Sequence, residues 1–333
     1  MTPLVRLNRV TEGCVATVLA KLEFVSAGGS VKDRIAARMI EAAEARGDIA
    51  PERSVLIEAT SGNTGVGMAM VAAAKGYRCI LTMPRTPTMT ERYMICRAHG
   101  AEVQLSDPAE GAAGFVRLAE QIAEATPGAF LMRQFRNADN VAAHAEGTGP
   151  EIWQQTAGAV DMLVAGAGTG GTLVGTGSFL KSQKPGLRVV CVEAAESRVL
   201  AGLDPPQPVA HGLVGISAGV PLPLVEQGAE DPKADLESGS VIDEFAAIPS
   251  SKGVAMAKRL AAQEGLLVGP SSGAACAAAV ELAQRPEHKG KVIVVVFPSS
   301  GARYLQHPMF DRLKEEASRE LPYCNFCSPE NWR

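Results

Sequence analysis

The stretch VLIEATSGNTGVGMAMVAAAKGYRCILTM, residues 55–83, decides the fold class. Val55–Glu58 is a short apolar run that predicts a buried strand. Thr64–Lys75 is alanine-rich and predicts a helix that Gly76 ends. Cys79–Met83 predicts a second strand. Strand, helix and strand at this spacing form a unit whose strands lie parallel, with the helix on one face of the sheet.

The alternation continues in both directions. Upstream, Val15–Leu22 predicts a strand and Arg34–Arg46 a helix, with Ile35, Met39 and Ile40 at helical spacing. Downstream follow a helix over Glu91–His99, a strand over Glu102–Leu105 and a helix over Gly111–Ala125. The pattern then restarts. Helices are predicted over Glu146–Thr156, Gly171–Lys181, Lys252–Glu264 and Ser272–Leu282, and strands over Met162–Ala165, Val189–Val192, Val241–Phe245 and Val292–Phe297. Leu203–Leu224 is proline-rich and reads as irregular. Two such series predict an α/β protein of two domains, with a boundary near Gln134–Asn140.

The bulk numbers allow this. The chain has 333 residues, 46% hydrophobic and 20% charged, enough for one large or two medium cores. A net charge of −4 without a basic cluster gives no pull toward nucleic acid or anionic membrane. No apolar run reaches the roughly 20 residues needed to span a bilayer. The opening MTPLVRLNR lacks the apolar core of a signal peptide. Cytosol is therefore the expected compartment, and the seven cysteines read as thiols. Cys324-Asn-Phe-Cys327 is a CxxC, but a zinc site needs a second ligand pair and the five histidines form no metal spacing, so no metal is expected.

Four motifs remain. SAGGSVKDR, Ser26–Arg34, brings Lys32 to a helix start, where a cation opposes the helix dipole. It fails the P-loop spacing, and on its own Lys32 reads as a surface charge or a nucleophile. EATSGNTG, Glu58–Gly65, crowds Thr60, Ser61, Asn63 and Thr64 at a helix N-terminus. One cap needs one such residue, and the surplus favours a carboxylate site. GAGTGGT, Gly166–Thr172, reads as a phosphate cradle of backbone amides. It also approximates a dinucleotide loop, with Glu193 placed as a ribose ligand. In GPSSGA, Gly269–Ala274, a serine reads either as an N-cap or as a ligand. A lysine suited to forming an imine, beside a phosphate cradle that is not a nucleotide loop, suggests pyridoxal phosphate.

With these motifs, the sequence resembles the cysteine synthase/cystathionine β-synthase family of pyridoxal-phosphate enzymes, fold type II. The likeness runs through TPLVRLN (Thr2–Asn8), GGSVKDR, EATSGNTG, QFRNADN (Gln134–Asn140), TGPEIW (Thr148–Trp153), GAGTGGT, EGLLVGPSSGAA and FPSSGARYL (Phe297–Leu305). The resemblance implies two three-layer α/β/α domains of tryptophan synthase β-like fold, with the cofactor between them. It places a smaller domain at 28–137, a larger one at 1–27 and 138–310, and a peripheral tail at 311–333. It makes Lys32 the Schiff-base lysine and the base for the α-proton. Asn63 would bond the cofactor's 3′-oxygen; Gly168, Thr169, Gly170, Gly171 and Thr172 would hold its phosphate; Ser271 would face its ring nitrogen. Thr60, Ser61, Asn63, Thr64 and Gln134 would form the substrate site, and the glycines of SAGGSVKDR would let the backbone pass close to the cofactor.

The implied reaction is β-replacement, O-acetylserine plus sulfide giving cysteine plus acetate, in a homodimer whose smaller domain closes over the substrate. Within the fold, the alternatives are a cysteine desulfhydrase and a cystathionine β-synthase-type lyase. A phosphoserine-using synthase is disfavoured because His211–Leu224 holds no arginine. Outside the fold they are an NAD-dependent dehydrogenase and a non-catalytic homologue. Three segments depart from the family pattern: the loop Met83–Arg92 carries an extra proline, Ala138-Asp139 replaces Pro-Ala, and Ser217 stands for a glycine expected near the substrate mouth.

Overall fold

The computed structural model describes residues 1–204, 209, 211–217, 222–226 and 241–319. In chain order the elements are β1 (Leu4–Arg6), β2 (Thr17–Leu22), α1 (Lys32–Ala45), β3 (Val55–Ala59), α2 (Asn63–Lys75), β4 (Arg78–Pro84), α3 (Thr90–Ala98), β5 (Glu102–Ser106), α4 (Gly111–Ala125), β6 (Ala129–Leu131), α5 (Ala138–Ala143), α6 (Gly149–Gln155), β7 (Met162–Gly166), α7 (Gly171–Gln183), β8 (Arg188–Ala194), α8 (Pro223–Glu226), β9 (Glu244–Ile248), α9 (Ser250–Arg259), α10 (Pro270–Gln284), β10 (Val292–Phe297) and α11 (Asp311–Ser318).

The strands form two sheets. One has four strands in the order β5-β4-β3-β6, all parallel. The other has six in the order β1-β2-β10-β7-β8-β9, parallel except for β1, which runs antiparallel to β2. Helices cover both faces of each, which explains why central strands read as unbroken apolar runs. In β10, Ile293, Val295 and Phe297 face α9 and α10, while Val294 and Val296 face α6 and α7. In the smaller sheet, Leu56 and Leu81 pack on Ile35, Met39 and Ile40 of α1, and Ile57 and Ile80 pack on Phe115 of α4. The expected α/β class and its central elements are present.

The differences lie at edges. The strand expected at Val241–Phe245 sits at Glu244–Ile248. Val189 N–H, which a longer strand would bond by its backbone, is taken by Asp243 Oδ2 at 2.7 Å. Pairing along β8 therefore begins at Glu244. β1, β6 and α5 are too short for a periodic pattern to reveal them. The helix expected over Glu146–Thr156 is regular only from Gly149; His144–Thr148 is a π-turn, as is Leu260–Glu264 at the end of the helix expected over Lys252–Glu264. Leu203–Leu224 is only partly among the described residues, and Cys324 and Cys327 lie outside them. Among the described residues no helix is long and apolar enough to cross a membrane.

Candidate active site

One cavity of about 220 Å³ lies where the C-terminal ends of strands from both sheets meet. It is lined by Lys32, Thr60, Ser61, Asn63, Thr64, Gln134, Gly168, Thr169, Gly170, Thr172 and Ser271, every residue to which the family resemblance gave a cofactor or substrate role except Gly171. Val31, Gly62, Arg92, Phe135, Gly166, Val214, Gly215, Ile216, Pro298, Ser299 and Tyr304 complete the wall.

Lys32 opens α1. Its ammonium has no hydrogen-bond or ion-pair partner among the described residues, and burial pulls its pKa down to about 8. A lysine that is a surface charge would show neither feature. α2 crosses close behind it: a Cβ at Gly67 would lie 2.9 Å from Lys32 O, so the glycine permits this approach. The glycines of SAGGSVKDR do something other than expected. Neither Gly28 nor Gly29 lines the cavity. Gly28 N–H donates to Asp33 Oδ2 at 2.7 Å, and a side chain at 28 would strike that carboxylate. They serve the turn that Asp33 folds back on, not a ligand.

At α2 the expected cap is displaced by one step. Neither Ser61 nor Asn63 caps the helix. Thr60 Oγ1 accepts from Gly62 N at 3.0 Å and Gly65 N at 3.2 Å. Ser61, exposed, keeps a free hydroxyl, and first-turn N–H groups of α2 stay without helical partners. Thr64 Oγ1 donates to Gln134 Oε1 at 2.6 Å, while Gln134 Nε2 donates to Ala59 O at 2.8 Å and Glu58 Oε1 at 3.4 Å. Glu58, 2% exposed, is held by burial at a pKa of about 8 despite the Gln134 donors. It keeps Gln134 in place. Asn63 Oδ1 accepts from Arg303 Nη1 at 2.9 Å.

α7 starts at Gly171 after Gly170, a left-handed residue with φ of 93°, and has no side-chain cap. Asn140 Nδ2 donates to Thr169 Oγ1 at 3.0 Å, which leaves the Thr169 hydrogen free to point into the cavity. Thr172 Oγ1 lies 3.2 Å from His144 Nε2, and burial keeps that imidazole neutral. Gly171 lies just behind the wall, where a Cβ would run into Asn140 Oδ1. Ser271 sits inside the first turn of α10, whose cap is Gly269. The serine is buried, makes no hydrogen bond within the described chain, and is not an N-cap.

Several rival readings end here. Glu193 accepts from Leu200 N and Ala201 N at 2.8 and 3.1 Å, so its carboxylate closes a turn and is not offered to a ribose. Ser217 does not line the cavity: its Oγ accepts from Ala194 N at 2.8 Å, and its φ of 52° is one that favours glycine. Cys79, Cys96, Cys191 and Cys276 are buried, which pushes each thiol up and away from reactivity. No group of side chains suited to a metal occurs among the described residues.

An uncapped helix N-terminus with two inward hydroxyls, an unpartnered amine and an unpartnered serine fit pyridoxal phosphate, each by the donor its corresponding part requires. Sequence reasoning missed Glu58, Arg92, His144 and Tyr304. Glu58 and Tyr304 stood inside quoted motifs, and a carboxylate in an otherwise apolar strand was the available signal. Arg92 closed a loop remarked on only for its extra proline.

The comparisons agree with the geometry. Residues 1–299 match the family described as pyridoxal-phosphate dependent enzyme. Cysteine synthase 3 of Caenorhabditis elegans is 42% identical over 318 residues, 96% of this chain and 90% of that protein. A probable cysteine synthase of Bacillus subtilis (strain 168) is 45% identical over 307 residues, 91% and 93% of the two chains. The crystal structure of O-acetyl serine sulfhydrylase isoform 3 from Entamoeba histolytica superposes with a TM-score of 0.83 at 38% identity, covering 93% of this chain and 88% of that one.

Proposed function

Because the chain belongs to the family of pyridoxal-phosphate dependent enzymes, we propose that it makes L-cysteine from O-acetylserine and sulfide by β-replacement, with release of acetate. The observation that carries this is Lys32, a half-buried lysine whose desolvated amine has no acidic partner among the described residues, in a cavity that also holds two open helix N-termini. Names of the relatives support the choice of substrates.

When bound, pyridoxal phosphate withdraws electrons from the α-carbon of an attached amino acid. Gly168, Thr169, Gly170, Gly171 and Thr172 hold its phosphate with amides and hydroxyls at the α7 start. Asn63 would bond the 3′-oxygen, and Ser271 would give the ring nitrogen a neutral hydroxyl. A neutral partner there would leave the ring a weaker electron sink than a carboxylic acid would. Lys32 would be the covalent anchor; once free it would take the α-proton on Nζ, and a pKa of about 8 leaves part of it neutral at working pH. Ser61 and the α2 amides receive the α-carboxylate. Thr60 shapes that loop, and Thr64 and Gln134 join as their mutual hydrogen bond opens.

The division into a unit of 28–137 and one of 1–27 with 138–310 follows the two sheets, whose strands fall at 55–131 and at 4–22 with 162–297. The reading places the enzyme in the cytoplasm as a homodimer; sedimentation of the holoenzyme checks the latter. To test the activity, holoenzyme is incubated with O-acetylserine with and without sulfide, and separately with cysteine alone. Cysteine and acetate formed only with sulfide are expected. Pyruvate from cysteine without cysteine synthesis would make the protein a desulfhydrase instead.

A further inference from the structure

The cavity holds a second cation besides Lys32. Arg92, from α3, is 2% exposed and lines the wall. Nη1 donates to Thr88 O at 2.7 Å, and the guanidinium carbon lies 4.7 Å from the centroid of the Tyr304 ring. No carboxylate among the described residues pairs with it. A buried guanidinium without an anion is unfavourable, and the remaining N–H groups have no partner among the described residues.

Gly62 places this charge. A Cβ at position 62 would lie 2.6 Å from both Cδ and Nε of Arg92. Only a residue without a side chain lets the arginine run beneath the Thr60–Thr64 loop into the wall. That loop itself presents only neutral donors: the Ser61 hydroxyl and unpaired amides of α2. The charge and the neutral donors therefore meet at one end of the cavity.

We infer that Arg92 is the charged partner of the substrate's α-carboxylate, and so the residue that makes the site select amino acids over their uncharged derivatives. This rests on the reading that an amino acid is the substrate. Neutral donors serve a carboxylate and a carboxamide alike; a guanidinium in a partly dry site does not.

The test uses holoenzyme of wild type, Arg92→Gln and Arg92→Lys, each titrated with L-serine, L-serinamide and O-phospho-L-serine while the cofactor absorbance is followed. Arg92→Gln should weaken L-serine by about 30-fold and L-serinamide by about twofold or less, the loss typical of removing one partner of a charge pair. Arg92→Lys should restore most of the preference. With O-acetylserine, KM should rise in Arg92→Gln while kcat changes little. Equal weakening of both ligands would overturn the inference, since it marks a merely structural role. So would a loss confined to O-phosphoserine, which would assign the charge to the β-substituent. If the glutamine variant does not fold, a lysine variant that binds serinamide as tightly as serine overturns it equally. Failure of the proposed activity shows separately, as wild type that forms no cysteine.

Discussion

Lys21 and Lys32 flank the same turn and have opposite surroundings. Lys21, on β2, is 0% exposed and fully satisfied: Nζ donates to Thr2 O at 2.8 Å, Glu151 Oε2 at 2.6 Å and Gln155 Oε1 at 2.8 Å. Those are the three donors an ammonium owns. Burial pulls its pKa down, and Glu151 and Glu23 work against that. Lys32 has burial and nothing to oppose it. Burial alone therefore does not mark a reactive lysine; burial without an acidic partner does. The first lysine also serves the second. Arg34, two positions along α1 from Lys32, pairs with Glu23 at 2.6 Å and with Glu151 at 2.7 Å, so the Lys21 cluster fixes the start of α1.

The comparison is broken most directly by removing each partner. Lys32→Ala should lower turnover by ~10³-fold or more, since it loses both anchor and base, while the urea midpoint stays near that of wild type. A Lys21→Ala variant that loses as much activity at unchanged cofactor content would undo the distinction. Glu151→Leu should destabilise the apoprotein by about 3–5 kcal/mol in urea, because Lys21 and Arg34 keep buried charge without it. The pH course of that contribution has a definite sign. Despite its burial, Glu151 is held at about 2 by Arg34 and Lys21, below its unfolded value. Its contribution is present above pH 4.5 and is lost as pH falls toward 2.

Glu58 sharpens the rule for acids. Its partners are neutral amides, and burial raises its folded pKa to about 8. The folded chain then holds a proton that the unfolded chain has released, so stability falls as pH rises from about 4.5 to 8. Glu58→Gln should flatten that fall by about 3 kcal/mol, read from urea midpoints of the apoprotein at pH 5 and 8. Thr60→Ala should cost about 1 kcal/mol by releasing the Gly62 and Gly65 amides, and Thr60→Ser should cost less.

Much of this was legible in the chain because the decisive residues are local. A strand, a polar loop and an alanine-rich helix over residues 55–75 announce a parallel unit, and the glycine loop before α7 announces its open amides. What stayed hidden depends on contacts across the fold. No spacing distinguishes Lys21 from Lys32, because the partners of Lys21 come from Thr2 and from α6. Thr60 and Ser61 look alike as caps, and the turn decides between them. Arg92 reads as one more charge on an amphipathic helix until Gly62 and Tyr304 enclose it.

The central claim is that Lys32, alone among the lysines, binds the cofactor covalently. Borohydride reduction of the holoenzyme, followed by digestion and mass spectrometry, tests it at the residue. The account predicts a pyridoxyl-phosphate adduct on the peptide carrying Lys32 and none on Lys32→Ala reduced in parallel. An adduct on Lys21 or another lysine in wild type, or one retained in Lys32→Ala at wild-type yield, would contradict it.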